Sequence, residues 1–293
     1  MPELPEVETV RRGLSARCIG AVIQAETHDT AKGFPNTPAD VQSFLLGAKI
    51  IDVRRRAKVL MIDLSSQYSL VIHLKMTGQL VYVTETDRFG AGHPNDSLIH
   101  ALPDSSTRVT LTMHDGSKLF FNDQRKFGWM KLMPTDEIAS LPFMQKVGPE
   151  PLEDSFTAED FMNRLSRRKK TSIKAALLDQ SVVAGIGNIY ADEALWGAKV
   201  HPLRRVETLT EQEMTALYEE ARAVMKLSIE KGGSSNRNYV KIDGQRGSYM
   251  DFARVFRKEG TPCPRCGTTI IKTKVAGRGT HLCPQCQHAP TAP

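Results

Sequence analysis

The spacing of hydrophobic residues follows a helical period at the start of the chain and then shortens to a strand-like period. Val7, Val10 and Leu14 recur at i, i+3 and i+7, which predicts a short amphipathic helix whose end is marked by Gly13 and Gly20. Beyond a polar loop rich in Pro and Thr, short β-rich segments predict strands at 50–53, 59–64, 70–74, 80–83, 109–113 and 119–121. This pattern predicts a β-sandwich or flattened barrel with the first helix packed on it.

The pattern in the second half of the chain is helical. Residues 84–107, rich in Gly, Pro, Asn, Asp and Ser, predict a long mobile insertion, and we interpret Gly-Pro-Glu-Pro at 148–151 as a linker. The predicted helices lie at 158–165, 173–179, 189–196 and 211–229, with a glycine-bearing turn at 183–188. A flexible stretch at 232–247 then leads into a compact tail that contains cysteines. The fold class is therefore predicted to be α+β, with several domains.

Length and composition set limits on the class of protein. With 293 residues, about two domains of roughly 150 residues each are expected, and 40% hydrophobic and 25% charged residues are ordinary for a globular protein. No apolar run approaches the length of a membrane span, and the acidic start of the chain lacks an apolar stretch typical of a secretory signal. We expect no membrane partner and a cytoplasmic location, associated with the nucleoid if the protein meets DNA.

The positive charge is concentrated in a few places. Lys and Arg exceed Asp and Glu by 39 to 33, a formal net charge of +6. Basic clusters occur at 54–58, at 167–170 and in the C-terminal segment. If these clusters share one face of the fold, they favour a polyanion as a partner. The alternative is that they lie on three solvated faces that point in different directions and bind no polyanion.

Four of the five cysteines have the spacing of a metal site. They form Cys263-x2-Cys266-x16-Cys283-x2-Cys286, and each CxxC turn presents two thiolates to one tetrahedral ion. Disulfides are a poorer interpretation in a cytoplasmic protein, and a redox motif would need only one pair. We predict one structural Zn²⁺, because four sulfur ligands leave no open position for chemistry.

The other cysteine and the nearby histidines are expected to be outside the metal site. His281 and His288 flank the cysteines and are predicted to be surface residues, and Cys18 is predicted to be a small buried residue on the first helix. Between the cysteine pairs, Lys272, Lys274 and Arg278 make a basic hairpin that could enter a groove or clamp phosphate, or simply be a solvated loop.

The N-terminus carries candidate chemistry. Removal of Met1, which a small following residue favours, would expose the secondary amine of Pro2. An α-amino group has a pKa of about 8, so part of it is unprotonated at neutral pH and can attack an aldehyde-like carbon. Glu3 and Glu6 could divide acid and structural roles between them. The alternative is that Pro and Glu are simply common in the first turn of a helix.

The opening string MPELPEVETV closely resembles the start of bacterial formamidopyrimidine-DNA glycosylases, and the likeness continues along the chain in that family's order. The other motifs are RRAK at 55–58, HLKMTG at 73–78, DQRKFG at 123–128, GPEPL at 148–152, GIGNIYA at 185–191 and the four cysteines. The Leu-Pro-Glu continuation at 4–6 favours the oxidised-purine branch over the endonuclease VIII branch, which shares the architecture.

The resemblance implies a bifunctional DNA glycosylase and abasic-site lyase of base excision repair, which acts on 8-oxoguanine and formamidopyrimidines in duplex DNA. It implies that Pro2 attacks C1′ to form a Schiff base, that Glu3 is the general acid for sugar-ring opening and that Lys58 assists β-elimination. Arg278 matches the finger arginine that grips phosphate and is linked to δ-elimination.

The resemblance also implies a set of DNA contacts. Met76, Arg125 and Phe127 match the side chains inserted where the lesion leaves the stack, and Arg125 would favour cytosine opposite the lesion. Lys169 matches a DNA-contacting lysine, and Asn188 matches the phosphate-binding residue of a helix–two-turn–helix motif.

This chain departs from the family in one motif that contacts DNA. Where the family often has Lys-His-x-His, residues 105–108 are Ser-Ser-Thr-Arg, so the phosphate contact would fall on Ser106, with Arg108 a possible substitute. Gln124 replaces the usual proline and Lys126 a second arginine, and neither touches the proposed chemistry.

The family architecture implies four segments. They are a catalytic β-sandwich domain at 1–134, a helix–two-turn–helix DNA-binding domain at 135–231, a flexible lesion-capping loop at 232–250 and a zinc-finger hairpin at 251–293. We expect a monomer whose partner is damaged double-stranded DNA. Two other functions remain open: an oxidised-pyrimidine glycosylase, and a non-catalytic zinc-finger protein that binds damaged DNA.

Overall fold

Antiparallel strands in the N-terminal part of the chain form two sheets that share one hydrophobic core. The computed structural model describes residues 1–234 and 248–289, which divide into two units, one of Met1–Gln145 and Lys231–Ser248 and one of Lys146–Glu230 and Tyr249–Pro293. In the first unit, the strands are β1 (Ile23–His28), β2 (Ile50–Arg56), β3 (Val59–Leu64), β4 (Tyr68–His73), β5 (Gly78–Val83), β6 (Arg88–Gly92), β7 (Thr107–Met113), β8 (Lys118–Asp123) and β9 (Trp129–Pro134). Their order is β1-β7-β8-β5-β6 in one sheet and β2-β3-β4-β9 in the other, which confirms the predicted β-sandwich.

Helix α1 (Leu4–Cys18) packs against strands of both sheets. Val7, Val10 and Leu14 are fully buried in the shared core, and Cys18 is buried as predicted, so that burial raises the pKa of its thiol to about 12. The helix continues past Gly13, contrary to the expectation that this glycine marks its end. A Cβ at Gly13 would lie 1.9 Å from the ring of Phe89, so the glycine makes room for that side chain.

The predicted mobile insertion at 84–107 is wrong in part, because it contains β6. This strand pairs with β5 through Val81 and Gly90, and Phe89 joins the core. Two glycines in five residues hid the strand from a pattern of hydrophobic alternation. Strands β1 and β9 were also missed. The six predicted strands are all present, and their ends differ from the predicted ends by at most three residues.

The second unit is mainly helical and ends in a two-stranded hairpin. Its helices are α4 (Ala158–Ser166), α5 (Ile173–Leu178), α6 (Asn188–Gly197) and α7 (Glu211–Glu230). The short helix α2 (Pro38–Asp40) belongs to the first unit, and α3 (Pro142–Lys146) lies at the boundary between the two units. Short 3-10 or π turns occupy Val41–Leu45, Asp96–Leu98, Thr135–Ser140, Val206–Thr208 and Tyr249–Asp251, and the hairpin is β10 (Ile271–Val275) and β11 (Arg278–Leu282). The four predicted helices are confirmed to within one residue at each end. None of the helices in the described ranges has both the length and the apolar composition needed to cross a membrane.

Local signals explain why these segments begin where they do. Thr157 caps α4, because its hydroxyl accepts the Asp160 N–H at 3.1 Å while the Asp160 carboxylate accepts the Thr157 N–H. The segment interpreted as a linker is instead packed within the second unit, since the Gly148 N–H donates to Gln180 O at 2.8 Å and Pro149 O accepts from Ala184.

A buried ion pair fixes the hairpin to the helices of the second unit. Lys174 of α5 and Asp192 of α6 have fully buried side chains, with Nζ 2.6 Å from Oδ1. The same Nζ donates to Thr280 Oγ1 at 2.7 Å and to Gly279 O at 3.2 Å. All three ammonium hydrogens therefore have partners, which such a buried charge requires.

We predict that Lys174→Met lowers the free energy of unfolding by about 3–5 kcal/mol, because the Asp192 carboxylate would remain buried without its cation. Chemical denaturation at neutral pH measures this change. Lys170→Met is the matched control, because Lys170 is exposed and its loss should change stability by less than about 0.5 kcal/mol. Equal effects of the two substitutions would contradict the structural role assigned to the pair.

Candidate active site

The residues that directly follow Met1 are buried, and a carboxylate holds their backbone. Pro2 and Glu3 precede α1, with Glu3 at its N-cap and only 2% exposed. Glu6 Oε2 accepts the backbone N–H of Glu3 at 2.8 Å, and Glu6 Oε1 accepts both the N–H and the hydroxyl of Ser234 at 2.8 Å. The paired carboxylates expected from the sequence therefore differ in role: Glu6 orients the backbone next to Pro2.

Lys58 lies in the tight turn between β2 and β3 and is largely buried. The Arg56–Val59 pair closes this turn, in which Ala57 has a φ of 52°. The Arg55 side chain connects the turn to α1, because Nη1 donates to Ala57 O at 3.0 Å and Nε donates to Glu8 Oε2 at 3.1 Å. The N-terminal residues and Lys58 thus belong to segments that one arginine ties together.

The Glu8 carboxylate accepts hydrogen bonds from three arginines. Besides Arg55, Arg11 donates to it at 2.9 and 3.0 Å and Arg12 at 2.8 Å. Burial alone would raise the pKa of Glu8, but the hydrogen bonds from Arg11 and Arg12 and the nearby positive charges outweigh it and lower the pKa to about 2. Glu8 is therefore ionised whenever the protein is folded near neutral pH.

His73 is a residue of this region to which the sequence assigned no role. It pairs with Val59 in the β3–β4 ladder, next to Lys58. Burial, with the positive charges of Lys75 and Lys58, lowers the pKa of His73 to about 3, and Nδ1 accepts the Lys75 N–H at 3.0 Å. A neutral imidazole thus adds no further charge beside Lys58. The sequence feature that could have drawn attention to His73 is its position at the start of the HLKMTG motif.

The three side chains expected to enter DNA lie on two loops. Met76 is half-buried between β4 and β5, whereas Arg125 and Phe127 are exposed between β8 and β9. Phe127 is 45% exposed, so its ring is not part of the hydrophobic core. The Arg125 guanidinium lies 4.9 Å from the Phe127 ring centroid, a cation–π distance.

Ser106 and Arg108 are buried and engaged in internal contacts. The Ser106 hydroxyl donates to Asp104 Oδ1 at 2.7 Å. Arg108 donates to Asp123 O and Ser105 O at 2.7 Å and forms an ion pair with Asp29. In this structure both side chains are occupied by internal contacts, and the phosphate contact expected of them stays a prediction.

In the second unit, Asn188 lies close to the residue that follows Arg278. Asn188 begins α6, and its Nδ2 donates to Gly279 O at 2.9 Å, while its Oδ1 is buried with no hydrogen-bond partner in the described part of the chain. Arg278 and Lys169 are both exposed. The geometry therefore places the turn at the start of α6 beside the tip of the hairpin.

The four cysteines converge as their spacing predicts. The Sγ atoms of Cys263, Cys266, Cys283 and Cys286 all lie within 4.8 Å of one another, and the β10–β11 hairpin joins the two pairs. Trp196 Nε1 lies 3.4 Å from Cys263 Sγ as a donor. Four convergent sulfur donors fit one tetrahedral Zn²⁺ that holds the hairpin in shape.

The prediction that His281 is a surface residue is wrong. Its side chain is 4% exposed, its backbone N–H donates to Asp192 Oδ2 at 2.9 Å, and ring Nδ1 lies 3.2 Å from the same oxygen. Ring Nε2 lies 3.2 Å from Glu259 Oε2. A partner 89 residues earlier in the chain gave no local signal for this burial. His288 is exposed, as expected.

Comparison with known families accounts for most of the chain. Three family models match: the formamidopyrimidine-DNA glycosylase N-terminal domain at residues 1–130, the formamidopyrimidine-DNA glycosylase H2TH domain at 147–239, and the zinc finger found in FPG and IleRS at 260–289. The last match confirms the predicted zinc finger and its Zn²⁺.

Curated relatives and solved structures point to the same family as these three family models. The formamidopyrimidine-DNA glycosylases of Pelotomaculum thermopropionicum and Streptococcus pyogenes serotype M6 are 41% and 43% identical, over 98% of this chain and 99% and 98% of theirs. A Lactococcus lactis structure with DNA containing Fapy-dG has a TM-score of 0.85 at 35% identity, covering 98% of this chain and 100% of that one. The Thermus thermophilus protein has a TM-score of 0.81 at 36% identity and 98% coverage of both chains. A complex titled MutM with carbocyclic 8-oxo-G DNA has a TM-score of 0.84 at 34% identity, covering 98% and 100%.

We predict that Glu8→Gln destabilises the fold in a pH-dependent manner. The folded pKa of about 2 lies below the ordinary 4.5, so the stabilisation is complete above pH 4.5 and is lost as the pH falls through 2. The substitution should lower the free energy of unfolding by up to about 3 kcal/mol at pH 7 and by about half as much at pH 3. Urea titrations at both pH values measure it.

Glu85→Gln is the control for Glu8→Gln, because it removes the same charge from an exposed loop residue. Its stability should match that of the wild type at both pH values. A Glu8→Gln difference of the same size at pH 7 and pH 3 would show that lost packing, not charge, causes the effect.

We predict that removing zinc with a chelator exposes Trp196. Its indole packs beside Cys263 and under the Arg265 guanidinium, 3.9 Å from the ring centroid, so unfolding of the finger should shift its emission to longer wavelength. A Trp129→Phe background isolates the signal, since the chain has two tryptophans. Metal analysis should give one zinc per chain before treatment. An unchanged spectrum in demetallated protein would contradict the structural role of the metal.

Proposed function

Because the chain belongs to the formamidopyrimidine-DNA glycosylase family, we propose that it removes oxidised purines, namely 8-oxoguanine and formamidopyrimidines, from duplex DNA and then cleaves the strand at the abasic site. The observation that carries this proposal is the joining of the Pro2–Glu3 segment and the Lys58 turn through Glu8 and Arg55. A reaction that uses an amine, a carboxyl and a lysine needs the segments that carry them to be held together, and these hydrogen bonds supply that link.

The reaction begins at Pro2 once Met1 has been removed. The unprotonated secondary amine forms a bond to C1′ of the damaged nucleoside as the bond from C1′ to the base breaks. Glu3 donates a proton as the sugar ring opens, which leaves an iminium between Pro2 and C1′. The backbone contact of Glu6 with the Glu3 N–H keeps this segment in a single orientation.

Strand cleavage follows from the iminium. Because this electron sink acidifies C2′, a proton leaves C2′ and the bond to the 3′ phosphate breaks in a β-elimination that Lys58 assists. The second elimination releases the 5′ phosphate, and Arg278 on the finger is proposed to grip phosphate and assist this step. The two eliminations leave the strand cut on both sides of the sugar.

Recognition requires the damaged nucleotide to leave the stack, which costs a few kcal/mol of unstacking. Exposed Phe127 and half-buried Met76 supply apolar surface for the gap, and Arg125 can hydrogen-bond the orphaned base. Lys169 and Asn188 of the second unit are proposed to contact phosphates, as a helix N-terminus favours.

The domain scheme and cellular setting extend this proposal. We propose a catalytic domain at 1–134, a helix–two-turn–helix domain at 135–231 and a zinc-finger hairpin at 251–293. The lesion-capping loop expected at 232–250 lies mostly outside the described residues, since 235–247 are not among them. The protein is proposed to act as a monomer on DNA in the cytoplasm, at the nucleoid.

Borohydride trapping tests this proposal. With a duplex carrying 8-oxoguanine opposite cytosine, reduction should leave a covalent adduct that maps to Pro2, because borohydride converts the iminium to a stable amine. Pro2→Glu should give no adduct, since it removes the secondary amine and the small residue that favours removal of Met1. Pro38→Glu, the same change at an exposed helix start, should trap like the wild type.

The same assay separates the rival functions. Trapping and base release with thymine glycol but not with 8-oxoguanine would assign the chain to the oxidised-pyrimidine branch. Tight binding of both duplexes without any adduct would indicate a damage-binding protein that lacks catalysis.

A further inference from the structure

The loops that carry Met76, Arg125 and Phe127 are neighbouring crossovers between the two sheets. Residues 74–77 lead from β4 of the four-stranded sheet to β5 of the five-stranded sheet, and residues 124–128 return from β8 to β9. The ladders end at Gly78–Asp123 on one sheet and His73–Trp129 on the other, so the two crossovers leave the sandwich side by side.

One fully buried carboxylate binds both crossovers. Asp123 Oδ1 accepts the Thr77 hydroxyl and the Arg125 N–H, the latter at 3.2 Å. Asp123 Oδ2 accepts the N–H groups of Phe127 and Gly128 at 2.8 and 2.7 Å. Four donors surround the carboxylate, three of which are backbone groups of the returning loop.

The Thr77 hydroxyl makes the direct connection. It donates to Asp123 Oδ1 and accepts the Arg125 N–H at 3.1 Å, so it uses both its donor and an acceptor position between the loops. Thr77 directly follows Met76 and is itself 8% exposed. Any shift of one loop against the other would break at least one of these hydrogen bonds.

The backbone around this cluster leaves little room for an alternative arrangement. A Cβ at Gly78 would lie 2.3 Å from Leu74 O, and one at Gly128 would lie 2.7 Å from the Phe121 ring and 3.2 Å from Asp123 Oδ2. Arg108 adds an anchor from β7 by donating to Asp123 O. The two loops are therefore fastened to each other and to the sheet beneath them.

We propose that Thr77 and Asp123 are positioning residues that join the two loops into one preorganised wedge. This inference rests on the proposed function, because it concerns how Met76, Arg125 and Phe127 replace the extruded nucleotide. If the two loops are already ordered before DNA binds, no binding free energy is lost in ordering them. Arg125 is then held in one orientation toward the opposite base. Loosening the link misplaces these side chains without touching Pro2, Glu3 or Lys58.

Thr77→Val tests the link, because valine keeps the shape of threonine and lacks the hydroxyl. In single-turnover assays with 8-oxoguanine opposite cytosine, base release should slow by about 10-fold to 100-fold, the loss expected from a misplacement of about 1 Å. Borohydride trapping on a single-stranded oligonucleotide with a preformed abasic site should equal that of the wild type, since a single strand has no stack to fill and no opposite base.

Two further variants serve as controls. Thr77→Ser keeps the hydroxyl and should restore base release to within about 3-fold of the wild type, a small loss compared with the effect of a misplaced group. Thr112→Val makes the same chemical change at a half-buried site on β7 and should leave both readouts unchanged. Thermal unfolding of each variant verifies that the fold is intact.

The preference for the opposite base gives a readout that lost stability alone would not move. The ratio of base release from 8-oxoguanine opposite cytosine to release opposite adenine should fall in Thr77→Val and recover in Thr77→Ser. Equal losses on duplex and single strand, an unchanged ratio, or no rescue by serine would overturn the inference while the proposed function stood. A wild-type protein that failed on both substrates would overturn both.

Discussion

The hydrogen-bonded bridge from Glu8 through Arg55 to the Ala57 carbonyl is the interaction on which the chemistry proposed for the first unit depends. It connects helix α1, which follows directly after the amine proposed to react, with a hairpin turn that carries Lys58. Apolar packing of α1 against both sheets would tolerate small shifts along the helix axis, because hydrophobic attraction is not directional. A paired guanidinium and carboxylate, both largely buried, tolerate far less, since each misplacement leaves a charge without its partner.

Much of the fold could be predicted from the sequence because most strands and helices have local periodicity. The segments that failed have physical reasons. β6 consists of Arg-Phe-Gly-Ala-Gly, where the glycines allow close approach of Leu98 and of the neighbouring strand β5 instead of supplying apolar side chains. Gly13 looked like a helix end because a glycine within a helix is usually unfavourable, yet here it accommodates Phe89. In both places tertiary contacts outweighed local preference.

The candidate site was predictable to a different extent. Its reacting residues occur in short motifs whose spacing is visible, but their supporting contacts span long separations in the chain. Nothing local indicates that His281 lies against Asp192 or that Arg108 turns inward to Asp29 and Asp123. A basic residue in a DNA-binding chain suggests a phosphate contact, and the structure shows that such a residue can instead fasten a loop. Short motifs therefore suggest candidates for the reacting residues, whereas the contacts that position them become visible only in the folded chain.

Buried carboxylates hold three of the segments that bear a proposed function. Glu6 binds the Glu3 backbone, Asp123 binds the two wedge loops, and Asp192 binds Lys174 and the backbone of the finger. The reason lies in what these segments must leave exposed. A side chain such as that of Phe127 cannot both enter DNA and anchor its own loop in the core. The anchor must therefore act on the backbone, and a carboxylate can accept several N–H groups at once. Because an unsatisfied buried carboxylate is costly, each anchor also penalises every alternative loop conformation, and the exposed side chains are held in one arrangement without apolar contacts of their own.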